Sequence, residues 1–158
     1  MTPAIALVKK MRINHAVHSY SHDPRTASYG LEAAEQLGLP AERVYKTLLV
    51  STENAELLVA LVAVNAQLNL KALATAAKVK KVEMADPQRA QRSSGYLVGG
   101  ISPLAQKKAL RTFVDRSAAE HATIYVSAGR RGLEVELSAD DLLALTHGQF
   151  AEIASLGH

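Results

Sequence analysis

At 158 residues, with 48% hydrophobic and 21% charged residues, the chain is long enough to bury one substantial core without a metal or disulfide staple. Cysteine is absent, which excludes a disulfide framework, a Cys-based zinc site and a cysteine nucleophile, and five Tyr, two Phe and no Trp are too few for a broad base-stacking platform. The net charge of +3 conceals an uneven distribution: Lys71 to Arg116 holds ten Lys and Arg against three acids, a pattern that favours a locally anionic partner over mere solvation of helix faces.

In chain order, Thr2-Pro3 before "AIALVKKM" reads as an N-cap followed by Pro at the first helical position. Lysines follow the short apolar stretch here instead of preceding it, and no small-residue cleavage site comes after. A secretory signal is therefore not expected. No apolar run approaches the roughly 18–20 residues that span a bilayer, so a cytoplasmic protein without membrane contact is expected. "HAVHSY" (15–20) predicts a short strand and "HDPRTASYG" (22–30) a polar loop. "LEAAEQL" then forms a helix stopped by Gly38. "VYKTLLVST" (44–52) and "ELLVALVAV" (56–64) predict an antiparallel pair central in a sheet, because both faces are apolar. Asn69 caps a helix through "LKALATAAK", and Asp86-Pro87 opens another that ends at Gly95. Strands follow at 111–115, 123–128 and 133–137, the last two joined by a "GRRG" turn. Ser138 with Asp141 forms a capping box for a helix terminated by Gly148. No repeat, linker or low-complexity segment divides residues 1–158. The expectation is one α/β domain with a mixed, largely antiparallel sheet and surrounding helices, and not a regular βαβ alternation.

The chain lacks G-x-G-x-x-G, G-x-x-x-x-G-K-[ST] and G-x-S-x-G. Ser102 is therefore no nucleophile on a strand-to-helix elbow, since Pro103 blocks a helix start behind it. His15, His18 and His22 fall on a strand and its following loop, where alternation sends 15 and 18 to opposite faces, so surface or packing roles are expected and no metal site. His121, His147 and His158 fall in no ligand pattern. Lys46 stands in a strand otherwise built for burial. Either it snorkels from a strand edge, or it is a cation held rigidly to meet an anionic or carbonyl oxygen. "YLVGGISPL" (96–104) is either a tight connection or a loop whose glycines let backbone N–H groups converge on one oxygen. Glu134 and Glu136 share one strand face, solvated or with one of them facing a cleft.

Three stretches in this order, "RVYKTLLV", "KKVEMADPQRAQRSSGYLVGGISPLAQKK" and "TIYVSAGRRGLEVEL", resemble the YbaK family, free-standing relatives of the editing domain inserted in bacterial prolyl-tRNA synthetase. The likeness runs from "MTPA" through "HDP" to the last strand read here. It implies a mixed α/β sheet curved into a partial barrel. The implied activity is hydrolysis of the ester joining cysteine to the terminal adenosine of tRNA(Pro), without metal or cofactor. Deacylation of another small residue such as alanine, or a non-catalytic module for tRNA 3′ ends, are the alternatives. By the same resemblance the substrate's own thiol attacks its carbonyl. Lys46 holds the terminal adenosine or a nearby oxygen, and the backbone of Gly100, Ile101 and Ser102 stabilises the oxyanion. Tyr20 and Glu134 orient the aminoacyl group, and Glu134 stands where the family pattern has Asp. Thr47, Gly99, Pro103 and Ser127 complete the substrate site. Lys80, Lys81, Arg89, Arg92, Lys107 and Lys108 flank the glycine loop and are expected to meet the acceptor-end backbone. Prolyl-tRNA synthetase is the implied partner that supplies tRNA choice.

Overall fold

The computed structural model describes residues 1–25 and 28–156; Thr26 and Ala27 of the 22–30 loop, and His158, lie outside them. The elements run α1 (Pro3–Lys10), β1 (Ala16–Ser19), α2 (Tyr29–Leu37), β2 (Tyr45–Thr52), β3 (Leu57–Ala63), β4 (Ala66–Leu68), α3 (Leu70–Ala77), β5 (Val82–Met84) and α4 (Pro87–Ser94). There follow β6 (Thr112–Asp115), β7 (Ile124–Arg130), β8 (Leu133–Leu137), α5 (Ala139–Thr146), β9 (Gln149–Ala151) and β10 (Ala154–Leu156). Short 3-10 turns precede β2 and follow β6.

The caps read from the sequence act as such. Thr2 Oγ1 accepts from Ile5 N, Asn69 Oδ1 from Ala72 N, Asp86 Oδ2 from Arg89 N and Ser138 Oγ from Asp141 N. Thr2 also donates to the carbonyl of Ala128, which ties α1 to β7. Gly38 and Gly95 take the left-handed conformation expected at helix ends. The end of α5 departs from expectation, because His147 and not Gly148 is left-handed. Gly148 is needed for space instead: a Cβ there would stand 3.0 Å from the Thr112 carbonyl oxygen.

Three sheets form among the described residues, ordered β5-β2-β3-β6-β9, β1-β8-β7 and β10-β4. Pairing is antiparallel except for β3 with β6 and β6 with β9. The curved partial barrel that the resemblance implies thus resolves into separate sheets, none of them closed. A single bridge, Val44 to Tyr125, lays the start of β2 beside β7. β3 is buried along its whole length because both of its faces are covered. On one side α1 brings Ala4, Ile5 and Val8 against Leu61, Val126 and Val135. On the other, α3 brings Leu73 and Ala77 against Leu58, Val62 and Phe113. The Asp115 carboxylate, buried at the end of β6, is satisfied by the amides of Ile153, Ala154 and Ser117.

Candidate functional site

The β2–β3 ladder fixes what β2 offers on its other side. Val64 N donates to Val44 O and Thr52 N to Glu56 O, so even-numbered residues of β2 bond to β3 and odd-numbered ones face away. Away from β3, Leu49 O accepts from Ala85 N, and β5 pairs only with Val50–Thr52. The bridge to β7 lies at Val44. Between these two contacts no strand among the described residues covers β2, and the N–H and C=O of Thr47 face the gap. A pocket of about 330 Å³ occupies it. Lys46 is therefore on an interior strand whose edge is locally open, which explains how a lysine fits an apolar run.

The opposite wall comes from the β1-β8-β7 sheet. His18 pairs with Glu134 in the β1–β8 register and Tyr20 N bonds to Gly132 O, while Ser127 pairs with Glu134 in the β7–β8 register. Residues opposite one another share a sheet face, as do residues two apart on a strand, so Tyr20, Glu134 and Ser127 lie on one face, and all three line the pocket with Lys46 and Thr47. Glu134 is only 6% exposed, with Leu133, Val135 and Leu137 in the core behind it. Burial pushes its carboxyl up to about 8, so at neutral pH it is largely a protonated hydrogen-bond donor. Burial lowers the Lys46 ammonium, which has no hydrogen bond or ion pair among the described residues. Burial, and then the neighbouring Glu134 charge, raise the Tyr20 hydroxyl. Thr47 Oγ1 is buried without a hydrogen-bond partner among the described residues, and Ser127 Oγ accepts from Gly129 N at 3.2 Å. Glu136, on the same face as Glu134, is turned to other work: it meets His18 Nε2 at 2.9 Å, Thr123 Oγ1 at 2.5 Å and Arg43 at 3.7 Å.

The glycine loop is held from beneath. Tyr96 donates its hydroxyl to Leu104 O at 2.6 Å, Val98 N donates to Gln91 Oε1 at 2.9 Å, and Gln106 Nε2 donates to Ser102 O at 2.9 Å. Only Val98, Gly99 and Ile101 of this loop line the pocket. Ser102 is fully buried with its Oγ accepting from Leu104 N, and Pro103 is buried beside it. The expectation of a donor set spanning 100–102 is corrected at its first member, since Gly100 N already donates to Leu97 O at 2.9 Å. The amides of Ile101 and Ser102 have no acceptor among the described residues. Gly100 serves close approach: a Cβ there would lie 2.5 Å from Arg130 Cα and 2.7 Å from Arg131 N. Gly100→Ala is expected to cost about 1–3 kcal/mol through overpacking, measured as a shift of the denaturant midpoint. An unchanged midpoint would mean that the loop is not pressed against the β7–β8 turn.

Much of the wall was not singled out from the sequence, Tyr29, Gly30, Leu49 and Met84 among it. Tyr29 is held at the mouth by the Arg131 guanidinium, 4.5 Å over its ring, and Arg131 is itself fixed by buried Glu32 at 3.1 Å and by Asp23 O at 2.5 Å. Gly30 admits Val64, whose Cγ1 would stand 2.3 Å from a Cβ. The six basic residues do not gather in one place. Arg89, Arg92 and Lys108 line a separate cavity behind α4, whereas the amides of Lys80 and Lys81 bind the Glu53 carboxylate. Lys107 is exposed, its aliphatic stem beside Gly95.

The aminoacyl-tRNA editing domain family model matches residues 23–145. A protein of Enterococcus faecalis named as a Cys-tRNA(Pro)/Cys-tRNA(Cys) deacylase, EbsC, is 36% identical over 156 residues, which are 98% of this chain and 93% of that one. A solved structure described as a trans-editing enzyme for prolyl tRNA synthetase superposes with a TM-score of 0.82 at 21% identity, covering 98% of each chain. The hypothetical protein APE2540 superposes with a TM-score of 0.86 at 23% identity, over 98% of this chain and all of its own. At these identities the two structures establish the fold alone.

Proposed function

The chain belongs to the aminoacyl-tRNA editing domain family, and from that membership we propose that it is a free-standing deacylase clearing cysteine from tRNA(Pro). The observation that carries the reading is a pocket rich in positioning groups and without an activated nucleophile. Lys46 and protonated Glu134 offer donors, as does the amide of Ile101, while Ser102 is sealed under the loop and Ser127 Oγ hydrogen-bonds to no side chain among the described residues. Such a site acts through placement and oxyanion stabilisation, each worth several kcal/mol. The attacking group then comes from the substrate. The cysteine sulfur bonds to the ester carbonyl carbon, the bond to the ribose oxygen breaks, and that oxygen leaves with the thiol's proton. Water opens the resulting cyclic thioester.

Thr47, with its outward N–H, C=O and unpartnered hydroxyl, anchors the aminoacyl group from the β2 side, and Tyr20 confines it from the other. Lys46 meets the terminal ribose or the ester oxygen. The acceptor end of mischarged tRNA approaches over the basic segment, and prolyl-tRNA synthetase supplies selection of the tRNA. The test is deacylation of Cys-, Ser- and Ala-tRNA(Pro) and of Cys-tRNA(Cys), with and without the synthetase. Cys-tRNA(Pro) is expected to be cleared at least tenfold faster than Ser-tRNA(Pro). Equal rates for cysteine and serine would exclude the thiol mechanism. Preference for alanine would assign a water-based deacylase, and inactivity on all four would leave a binding module. Among the described residues no helix is long and apolar enough to cross a membrane.

A further inference from the structure

Helix α4 is a wall between two cavities. Its Pro87 and Ala90 line the aminoacyl pocket, while Arg89, Arg92 and Ser93 lie on the far side of the helix and line a cavity of about 390 Å³ with Leu57, Lys108 and Leu110. This second cavity is lined by three cations and no carboxylate. Arg111 nearby is neutralised by Glu56 at 3.2 Å, but none of the three cavity cations has a carboxylate partner among the described residues. Arg89 is held in place by neutral groups, donating to Ser51 Oγ at 3.2 Å and to Ala55 O at 2.5 Å. A second observation is independent of charge. Ser93 is 5% exposed and its hydroxyl has no hydrogen-bond partner among the described residues. A buried hydroxyl left unpaired costs about 1–3 kcal/mol, so an acceptor from outside would recover that cost.

We propose that this cavity behind α4 is a phosphate-binding subsite, with Ser93, Arg89, Arg92 and Lys108 donating to one phosphate of the single-stranded acceptor end. Phosphate oxygens accept from both hydroxyl and guanidinium donors, which matches the set present. A helix with its side chains is about 10–12 Å thick, so a phosphate seated here lies a few nucleotides from an ester held on the other side. The nucleic-acid identity of the phosphate rests on the tRNA reading of the pocket; the anion preference rests on the cavity alone.

The experiment measures binding of a fluorescent, non-acylated RNA oligonucleotide ending in CCA by anisotropy across a salt series, with inorganic phosphate as a separate titrant. Arg92→Ala/Lys108→Ala is expected to weaken binding about tenfold and to flatten the slope of log K against log salt by about 0.7, the value for one single-strand phosphate. Ser93→Ala is expected to weaken binding severalfold with the melting temperature unchanged or raised, since it removes an unpaired hydroxyl. Lys9→Ala/Lys10→Ala on α1 controls for general charge. Equal losses in the control and cavity variants would overturn the subsite, as would an unchanged salt slope in Arg92→Ala/Lys108→Ala. Inorganic phosphate bound through these residues, with oligonucleotide affinity untouched by their loss, would overturn the backbone assignment. No deacylation is needed for this measurement, so an inactive wild type would refute the proposed function without touching the subsite, and the reverse holds as well.

Discussion

Lys46→Ala is expected to lower deacylation of Cys-tRNA(Pro) by about 10²–10³-fold and to leave the melting temperature unchanged or slightly raised. Both halves follow from the same environment. The ammonium is half-buried on β2 in the pocket beside it, where among the described residues no strand fills the gap and no partner meets it. Desolvation lowers its pKa with nothing to offset it, so the folded state carries a cost at this position. Removing the side chain relieves that cost, which is why stability should not fall. The same unshared donor is fully available to an oxygen that gains charge in the transition state. A single preorganised donor of this kind is worth about 10²–10³ in rate. Lys46→Met keeps an aliphatic stem and separates lost packing from lost charge. Thermal melts and single-turnover deacylation on the two variants make the check. Activity within threefold of wild type in both would remove Lys46 from the mechanism, and a collapsed melting temperature in Lys46→Ala alone would make its role structural.

The elements that could be read from the sequence are those whose signal is local. Capping residues and runs with one dominant period placed α1 to α5 and β1, β2, β3, β6, β7 and β8 to within two residues. β4, β5, β9 and β10 were not foreseen because three residues are too few to show an alternation, and each exists only through a partner distant in sequence. The same division runs through the site. Lys46 stood out because a cation in an apolar strand contradicts its surroundings. The reason it is tolerated, a sheet edge left open between β5 and β7, is a tertiary fact that no window of sequence contains. Position along one face of β8 decides that Glu134 enters the pocket while Glu136 pairs with His18 and Arg43, although the two are alike in sequence. The glycine loop was partly legible. Its role as close-approach backbone holds at Gly100 against the β7–β8 turn, but the bond from Gly100 N to Leu97 O removes one of the donors that a count of exposed amides would include.

Glu134 yields a second large effect, and here the sign of the pH dependence is decisive. Its carboxyl is raised to about 8 by burial, against the ordinary value of 4.5. Folding therefore favours the protonated form. The stability associated with this group is fully present below pH about 4.5 and is lost as pH rises through 8, opposite to a carboxylate held by an ion pair. Glu134→Gln keeps the shape and an N–H donor but cannot ionise. It should abolish that pH dependence and melt higher than wild type at pH 9, while the two converge near pH 5. Activity should follow the same proton. A neutral carboxyl donates to the aminoacyl carbonyl, so wild-type kcat/KM should fall above pH about 8. Glu134→Gln should retain activity within about tenfold and lose that alkaline limb, whereas Glu134→Ala, with no donor, should lose about 10²-fold. Glu134→Asp withdraws the carboxyl by about 1.5 Å, one carbon–carbon bond, and restores the residue type of the family pattern, so it should stay active. Denaturant melts from pH 5 to 9 and pH–rate profiles on the four proteins decide the matter. A wild-type stability that is flat or rising over that range would mean that Glu134 is ionised in its pocket. It would then act as an acceptor toward the substrate ammonium, and Glu134→Gln would be as inactive as Glu134→Ala.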